Sequence, residues 1–251
     1  MTGLEHVSIA FGDKKVLDDV TLRLKEGETL VIMGASGSGK STILRLLIGL
    51  IRPQEGRVIV QDTDITDMDE DELNKVRRHM GMVFQYSALF DSMTVGENVA
   101  FGLRQHTEES EEEIQRIVKR NLALVGLRGI EAMMPNDLSG GMKKRVSLAR
   151  AMALNPAVML YDEPTAGLDP IRANTISRLI VNTQRHLHCT SVVVTHDMES
   201  AFFVADRIAM LHEGKILAVG TPEEIRDFDN EIVQKFIRGG RQTGRDYGRR
   251  N

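Results

Sequence analysis

One short segment, residues 34–41, constrains the fold of this chain more than any other. It reads GASGSGKS and fits the pattern G-x-x-x-x-G-K-[ST], which is typical of loops that bind nucleotide phosphates. The apolar run Leu30 to Met33 precedes it, as expected of a strand buried on both faces, and a helical stretch from Thr42 to Ile51 follows. A loop in this context predicts an open α/β sheet and a bound nucleotide.

The residue types of the loop match the chemistry of a phosphate site. Glycines let the backbone curl so that several amide N–H groups point at one phosphate. Lys40 would reach the β- and γ-phosphates, and Ser41 would offer its hydroxyl to Mg²⁺. The alternative is a Gly/Ser-rich turn that happens to precede a lysine. The predicted phosphate-binding residues are Gly34, Ala35, Ser36, Gly37, Ser38, Gly39, Lys40, Ser41 and Thr42.

Strands and helices alternate along most of the chain, but not between about Tyr86 and Asn155. Up to Gln85 and again from Ala157, short apolar or alternating runs predict strands separated by helices. In the intervening stretch strand signals are nearly absent, and apolar residues recur at helical spacing. The repeating apolar residues are Ile114, Ile117, Val118, Leu122 and Val125. We therefore predict a helical insertion in an α/β domain.

Composition excludes several classes of protein. The 36 acidic and 32 basic residues give a net charge of -4, which argues against a protein that mainly grips nucleic acid. The longest apolar runs, such as Leu46 to Ile51, fall far short of the about 18 residues that a membrane span needs. The single cysteine, Cys189, cannot form an internal disulfide, which suits a reducing cytoplasm.

The apolar run that begins at Val158 ends in two adjacent carboxylates. Asp162 would lie at the carboxyl edge of the sheet, where it can hold magnesium through water. Glu163, one residue on, is placed to orient or deprotonate an attacking water. The alternative is an acidic pair that merely closes a strand. With a phosphate loop upstream, we favour the catalytic interpretation.

Two further polar residues end strands. His196 follows the run SVVVT, which we expect to lie beside the strand of Asp162, so His196 is predicted to contact the γ-phosphate and the water. A structural or capping histidine is the alternative. Gln85 ends GMVFQ and is predicted to sense magnesium or the γ-phosphate, although a lone glutamine carries little weight. The predicted magnesium ligands are thus Ser41, Gln85 and Asp162.

A second glycine-rich helix start lies inside the helical insertion. Ser139, Gly140 and Gly141 open the helical stretch MKKRVSLARAMAL, and free amides with a positive helix dipole favour an anion there. Since the chain already has a phosphate loop, this start is predicted to serve a nucleotide on another subunit. A glycine-rich N-cap without a ligand is the alternative.

Taken in order, GASGSGKST, Gln85, LSGGM, MLYDEP, AGLDP and His196 resemble an ATP-binding cassette (ABC) ATPase over nearly the whole chain. The resemblance implies an α/β P-loop NTPase with a RecA-like core, an inserted α-helical subdomain and an N-terminal antiparallel β portion. It places the core at residues 1–86 and 156–222, the helical subdomain at 87–155, and a C-terminal helix with a basic tail at 223–251.

The same resemblance implies further site residues and a shared site. It implies ATP with Mg²⁺, held between two copies in a head-to-tail dimer, with Ser139, Gly140 and Gly141 on the partner's γ-phosphate. Asp169 would lie in the loop that couples the two sites. Phe11 occupies the position of the aromatic ring that stacks on adenine, although an apolar core role is a competing interpretation.

A finer resemblance rests on Met142, Ile171 and the chain end. Together they make the chain look like the ATPase of Mce-type phospholipid transporters, the Mla group. This implies a peripheral protein on the cytoplasmic face of the inner membrane, with permease subunits, an Mce-domain substrate-binding protein and a small regulatory subunit as partners. The alternatives are an ABC ATPase for amino acids or lipoprotein release and, least favoured, a soluble ABC switch protein without a permease.

Two surfaces are left with open interpretations. Apolar Leu89, Phe90 and Met93 lie where a permease helix would dock, and core packing explains each of them equally well. The last helix is predicted to stop at Gly239–Gly240, followed by a mobile, disordered basic tail. Contact of that tail with anionic lipid or with the partner subunit is the less favoured alternative.

Overall fold

A computed structural model of the chain describes residues 1–245. In chain order the elements are β1 (Thr2–Phe11), β2 (Lys14–Leu24), β3 (Thr29–Met33), α1 (Lys40–Leu47), β4 (Glu55–Val60), β5 (Thr63–Asp64), α2 (Glu70–Arg77), β6 (Met80–Val83), α3 (Val95–His106), α4 (Glu111–Leu124), α5 (Gly140–Ala151), β7 (Val158–Asp162), α6 (Pro170–Leu187), β8 (Thr190–Thr195), α7 (Met198–Val204), β9 (Arg207–His212), β10 (Lys215–Gly220), α8 (Pro222–Arg226) and α9 (Glu231–Arg245). Within residues 1–245, no helix is both long and apolar enough to cross a membrane.

The chain folds into two compact units. The first comprises Met1–Asp69 together with the chain from Val192 onwards, and the second comprises Glu70–Ser191. These bounds differ from the subdomain boundaries expected from the sequence, which stay a prediction.

An antiparallel sheet in the first unit has the strand order β2-β1-β4-β5. Strand β1 pairs antiparallel with both β2 and β4. In β2, Leu22 and Leu24 are buried while Thr21 and Arg23 are exposed, as the alternating sequence predicts. The N-terminal antiparallel β portion is therefore confirmed.

The same unit contains strands in the order β10-β9-β3-β8. All five residues of β3 are buried, and β3 pairs in parallel with β9, so the prediction of a doubly covered strand before the phosphate loop is confirmed. Strands β9 and β10 form a hairpin through Glu213 and Gly214, whose φ angles of 46° and 77° suit a tight turn.

The second unit pairs β6 with β7 in parallel and packs helices α3, α4 and α5 against one another. One apolar face of each helix is buried, represented by Val99 in α3, Val118 and Leu122 in α4, and Val146 in α5. Ser110 caps α4, since its hydroxyl accepts a hydrogen bond from the Glu113 N–H. The predicted helical character of this stretch is confirmed.

Two helix ends differ from the sequence-based expectation. Helix α1 ends at Leu47 rather than Ile51, because Gly49 adopts φ 69° and the Leu50 N–H turns back to the Arg45 carbonyl at 2.8 Å. Helix α9 runs through Gly239–Gly240 to Arg245, so the predicted stop at the glycine pair was wrong. A helical glycine costs only about 1 kcal/mol relative to alanine, which permits a helix to continue. Within the basic tail, residues 246–251 lie outside the described part of the chain.

Candidate functional site

The phosphate loop joins β3 to α1 with a strongly curled backbone. Gly39 is the N-cap of α1 with φ 106°, and Gly37 has φ 77°, both in the left-handed region that glycine adopts readily. Gly34 has no room for a side chain, because a Cβ there would lie 2.3 Å from the Leu211 carbonyl oxygen and 2.7 Å from Ser38 Oγ. The curl therefore depends on glycine at several positions.

Hydrogen-bond donors converge on this loop. The buried Lys40 ammonium donates to the Gly34 carbonyl at 2.9 Å and to the Ala35 carbonyl at 3.1 Å. No side chain caps α1, and its first turn contains no acidic residue. Ser38 Oγ is buried and has no hydrogen-bond partner among residues 1–245. Amides, an ammonium and a spare hydroxyl form a donor set that fits a phosphate.

Two other predicted site residues belong to the same unit as the loop. His196 follows β8, which neighbours β3, and its side chain is exposed. Phe11 ends β1 with 50% of its surface exposed, so the competing core role for its ring was wrong. The assigned contacts of these residues with the γ-phosphate and with adenine stay predictions.

The paired carboxylates lie at the end of β7 in the second unit. Asp162 is the last residue of that strand and is half-buried. Glu163 is buried and has φ 46°, a conformation that costs a non-glycine residue about 1–3 kcal/mol. Such strain is found at functional sites more often than elsewhere, so the turn at Glu163 agrees with a catalytic role.

The second helix start lies at the N-terminus of α5. Ser139 caps it, with its hydroxyl accepting from the Met142 N–H at 3.3 Å, and the first turn has no acidic residue. Gly140 is exposed, and a Cβ there would meet nothing within 4 Å. The start is therefore open to an approaching anion, with one of its amides already satisfied by serine.

Asp169 has a local structural role in the same unit. Its carboxylate caps α6, accepting from the Arg172 N–H at 3.0 Å, and pairs with the Arg172 guanidinium at 3.3 Å. The side chain is exposed, as is that of Ile171 beside it, which is 82% exposed. The coupling role assigned to Asp169 stays a prediction.

Lys144 of α5 was not among the predicted site residues. It connects Gln85 to Pro164, the residue that follows Glu163. Its buried ammonium donates to the Gln85 carbonyl at 3.3 Å and to the Pro164 carbonyl at 2.9 Å. Burial lowers the pKa of Lys144, and the charge of Glu163 offsets part of that shift. One signal pointed to it: Lys144 occupies a helical position between the core-facing Gly141 and Leu148.

The segment after Gln85 is held by two polar side chains that the sequence also did not reveal. The Arg150 guanidinium donates to the carbonyls of Ser87 and Ala88 at 3.2 and 2.7 Å and lies 5.6 Å from the Phe90 ring centroid. The fully buried Asn98 both donates to and accepts from the Phe90 backbone. Phe90 stays 42% exposed, whereas Leu89 and Met93 are half-buried.

The predicted magnesium ligands supply a hydroxyl, an amide and a carboxylate, which are the oxygen donors that Mg²⁺ prefers. Among residues 1–245, no group of three or more His, Cys, Asp and Glu side chains forms a metal-binding cluster. The ligand set Ser41, Gln85 and Asp162 stays a prediction.

Comparisons with family models, relatives and solved structures all point to the same family. The family model described as "ABC transporter" matches residues 17–166. The chain is 43% identical over 232 residues to the probable ribonucleotide transport ATP-binding protein mkl of Mycobacterium tuberculosis, covering 92% of this chain and 65% of that protein. It thus spans just under two thirds of the length of that mycobacterial relative.

Other relatives match over more of their length. The intermembrane phospholipid transport system ATP-binding protein MlaF of Haemophilus influenzae is 40% identical over 236 residues, covering 94% of this chain and 89% of that protein. Among solved structures, the dimeric ATP-binding cassette MJ0796 in a post-hydrolysis state, bound to ADP and phosphate, is 37% identical with a TM-score of 0.81. That match covers 88% of this chain and 99% of the solved one.

Proposed function

This chain belongs to the ABC transporter family, and we propose that it is the ATP-hydrolysing subunit of a membrane phospholipid transporter of the Mla/Mce type. The observation that carries the ATPase part of the proposal is the phosphate loop. There the donors that a polyphosphate requires come from the Lys40 ammonium, the start of α1 and the Ser38 hydroxyl, which has no hydrogen-bond partner within residues 1–245.

The proposed chemistry divides the work among residues of this chain. Residues 34–42 bind the phosphates, with Lys40 neutralising charge on the β- and γ-groups. Ser41, Gln85 and Asp162 would hold Mg²⁺, which supplies Lewis-acid stabilisation of the phosphate charge. Glu163 orients the attacking water and accepts its proton, and His196 stabilises the γ-phosphate and water from its own strand end.

We also propose that two copies act together. The open start of α5, with Ser139, Gly140 and Gly141, would close on the γ-phosphate bound by the other copy. The dimeric structure of the similar cassette MJ0796 supports this arrangement. ATP binding would close the pair and product release would reopen it, which drives motion in a membrane-embedded permease.

The cargo assignment rests on the relatives that match along most of their length. MlaF of Haemophilus influenzae, which is named for intermembrane phospholipid transport, is covered to 89% by this chain. The relative from Mycobacterium tuberculosis is named for ribonucleotide transport and is slightly more identical, but it is covered only to 65%. Phospholipid is therefore the proposed cargo and ribonucleotide the second candidate, with the chain working at the cytoplasmic face of the inner membrane.

The catalytic part is tested with Glu163→Gln. We expect turnover of Mg-ATP to fall about 10²- to 10⁴-fold, because the general base is lost, while nucleotide binding persists. An ATP-trapped dimer should appear by size-exclusion chromatography with light scattering. Glu213→Gln is the matched control, since Glu213 is a glutamate with the same φ of 46° in an exposed hairpin turn. Wild-type turnover by Glu163→Gln would remove Glu163 from this role.

The transport part is tested by purification from detergent-solubilised membranes. Co-purification of this chain with a permease and an Mce-domain protein, together with ATP-dependent phospholipid transfer by that complex, is the expected result. A complex whose rate of ATP hydrolysis is raised by added ribonucleotides other than ATP, and not by phospholipid, would favour the second candidate instead.

A further inference from the structure

Lys144 brings one buried positive charge to the backbone of two separate loops. Its side chain is 8% exposed, and its ammonium donates to the carbonyl oxygens of Gln85 and Pro164. These acceptors are distant in sequence from Lys144, by 59 and 20 residues respectively. The contact therefore depends on the tertiary structure and not on helix geometry.

The two acceptors are adjacent to residues with proposed chemical roles. One is the backbone of Gln85 itself, a predicted magnesium ligand, and the other is Pro164, which directly follows Glu163. Glu163 stands in a left-handed conformation, which persists only where the surroundings hold the chain firmly. A charge-assisted hydrogen bond to the next carbonyl supplies such a restraint.

A buried ammonium at this point has an electrostatic consequence as well. Taking a lysine out of water is costly, and carbonyl acceptors compensate only part of the cost. The Glu163 carboxylate raises the pKa of Lys144, because the two opposite charges attract each other. Lys144 thus restrains the Glu163 turn through both a hydrogen bond and a charge.

We propose that Lys144 is a positioning residue that ties the glycine-rich start of α5 to the Gln85 loop and to the turn carrying Glu163, so that these parts move as one body. This inference rests on the proposed ATPase function. Arg150, six residues further along α5, holds the carbonyls of Ser87 and Ala88 and extends the same connection along the helix. Displacement of the α5 start by a nucleotide would then be transmitted to the groups that perform hydrolysis.

The experiment compares Lys144→Met, which keeps the aliphatic stem, with Lys143→Met, which removes a lysine from the same turn. For Lys144→Met we expect kcat to fall roughly 10- to 100-fold while KM and the affinity for a fluorescent ATP analogue stay unchanged. Without nucleotide, amide hydrogen exchange should rise in peptides covering residues 84–88 and 162–166. Lys144→Arg, which restores a cation with several donors, should recover most of kcat.

Each outcome decides the matter. If Lys144→Met matches Lys143→Met in kcat and exchange, the positioning role is wrong although the ATPase assignment stands. If Lys144→Met unfolds, Lys144→Gln takes its place, and a normal kcat there overturns the proposal. If the wild-type chain itself shows no turnover while the exchange difference is present, the proposed function fails and the structural linkage survives.

Discussion

The two glycine-rich helix starts of this chain satisfy their amide groups in different ways. The start of α1 has a left-handed Gly39 as N-cap and no capping side chain, whereas Ser139 caps α5 through the Met142 N–H. Neither first turn contains an acidic residue. The start of α4, in contrast, carries Glu111, Glu112 and Glu113, whose charges complement the helix dipole from within the chain.

This difference separates a complete anion site from a partial one. The α1 start has its own cation, because the Lys40 ammonium is held on the loop carbonyls beside the helix N-terminus. The α5 start offers an open Gly140 but directs Lys144 inward, to the carbonyls of Gln85 and Pro164. We infer that the first start binds phosphate alone, while the second acts on a phosphate already held by another copy.

Among changes that test the two helix starts, the largest effect should come from removing the cation of the α1 start. Lys40→Met is expected to weaken ATP binding about 10- to 150-fold, since a charge-assisted hydrogen bond contributes roughly 1.5–3 kcal/mol. Isothermal titration with ATP measures the change. Ser139→Ala in the same assay on dilute protein should leave the affinity unchanged, and an equal loss in both variants would contradict the proposed difference.

A smaller effect should come from adding one methyl group to each glycine-rich segment. Gly34→Ala would place a Cβ 2.3 Å from the Leu211 carbonyl oxygen, so we expect unfolding free energy to fall by about 1–3 kcal/mol. Gly140→Ala meets open space and should leave the free energy of unfolding unchanged or slightly higher. Urea denaturation of the two variants measures this, and equal stability would contradict the described crowding at Gly34.

The smallest effect concerns the acidic helix start. The Arg104 guanidinium donates hydrogen bonds of 3.1 and 2.5 Å to the Glu111 carboxylate. This contact lowers the pKa of Glu111 to about 2. Because the folded-state pKa is depressed below the usual 4.5, the pair stabilises the fold above about pH 4.5 and loses that contribution as pH falls toward 2. The benefit is small, as both side chains are well exposed.

Thermal melting of wild type and Glu111→Gln across this pH range isolates the contribution of the pair. The two melting curves should differ slightly near pH 6 and converge as the pH approaches about 2. Glu112→Gln, which removes a carboxylate from the same turn, serves as the control. A difference that grows on acidification would have the wrong sign for this ion pair.

Local features of the fold were readable in the sequence because neighbouring residues decide them. The doubly buried β3 and the alternating burial along β2 each follow from a few adjacent side chains. The same holds for the phosphate loop, whose glycines and lysine are contiguous. The predicted helix end at Gly239–Gly240 was wrong, since α9 continues to Arg245 despite the cost of two helical glycines.

The sequence alone therefore determined the family, the phosphate loop and the candidate catalytic residues, because each is a contiguous motif with its own chemistry. Only the tertiary structure decided how these residues are held. Lys144 and Arg150 donate hydrogen bonds to carbonyls between 20 and 63 residues away, and the left-handed turn at Glu163 is a feature of the folded chain. Helical spacing indicates that Lys144 faces the core, but it does not indicate the partners, since a buried cation is placed by the carbonyls that the folded chain brings to it.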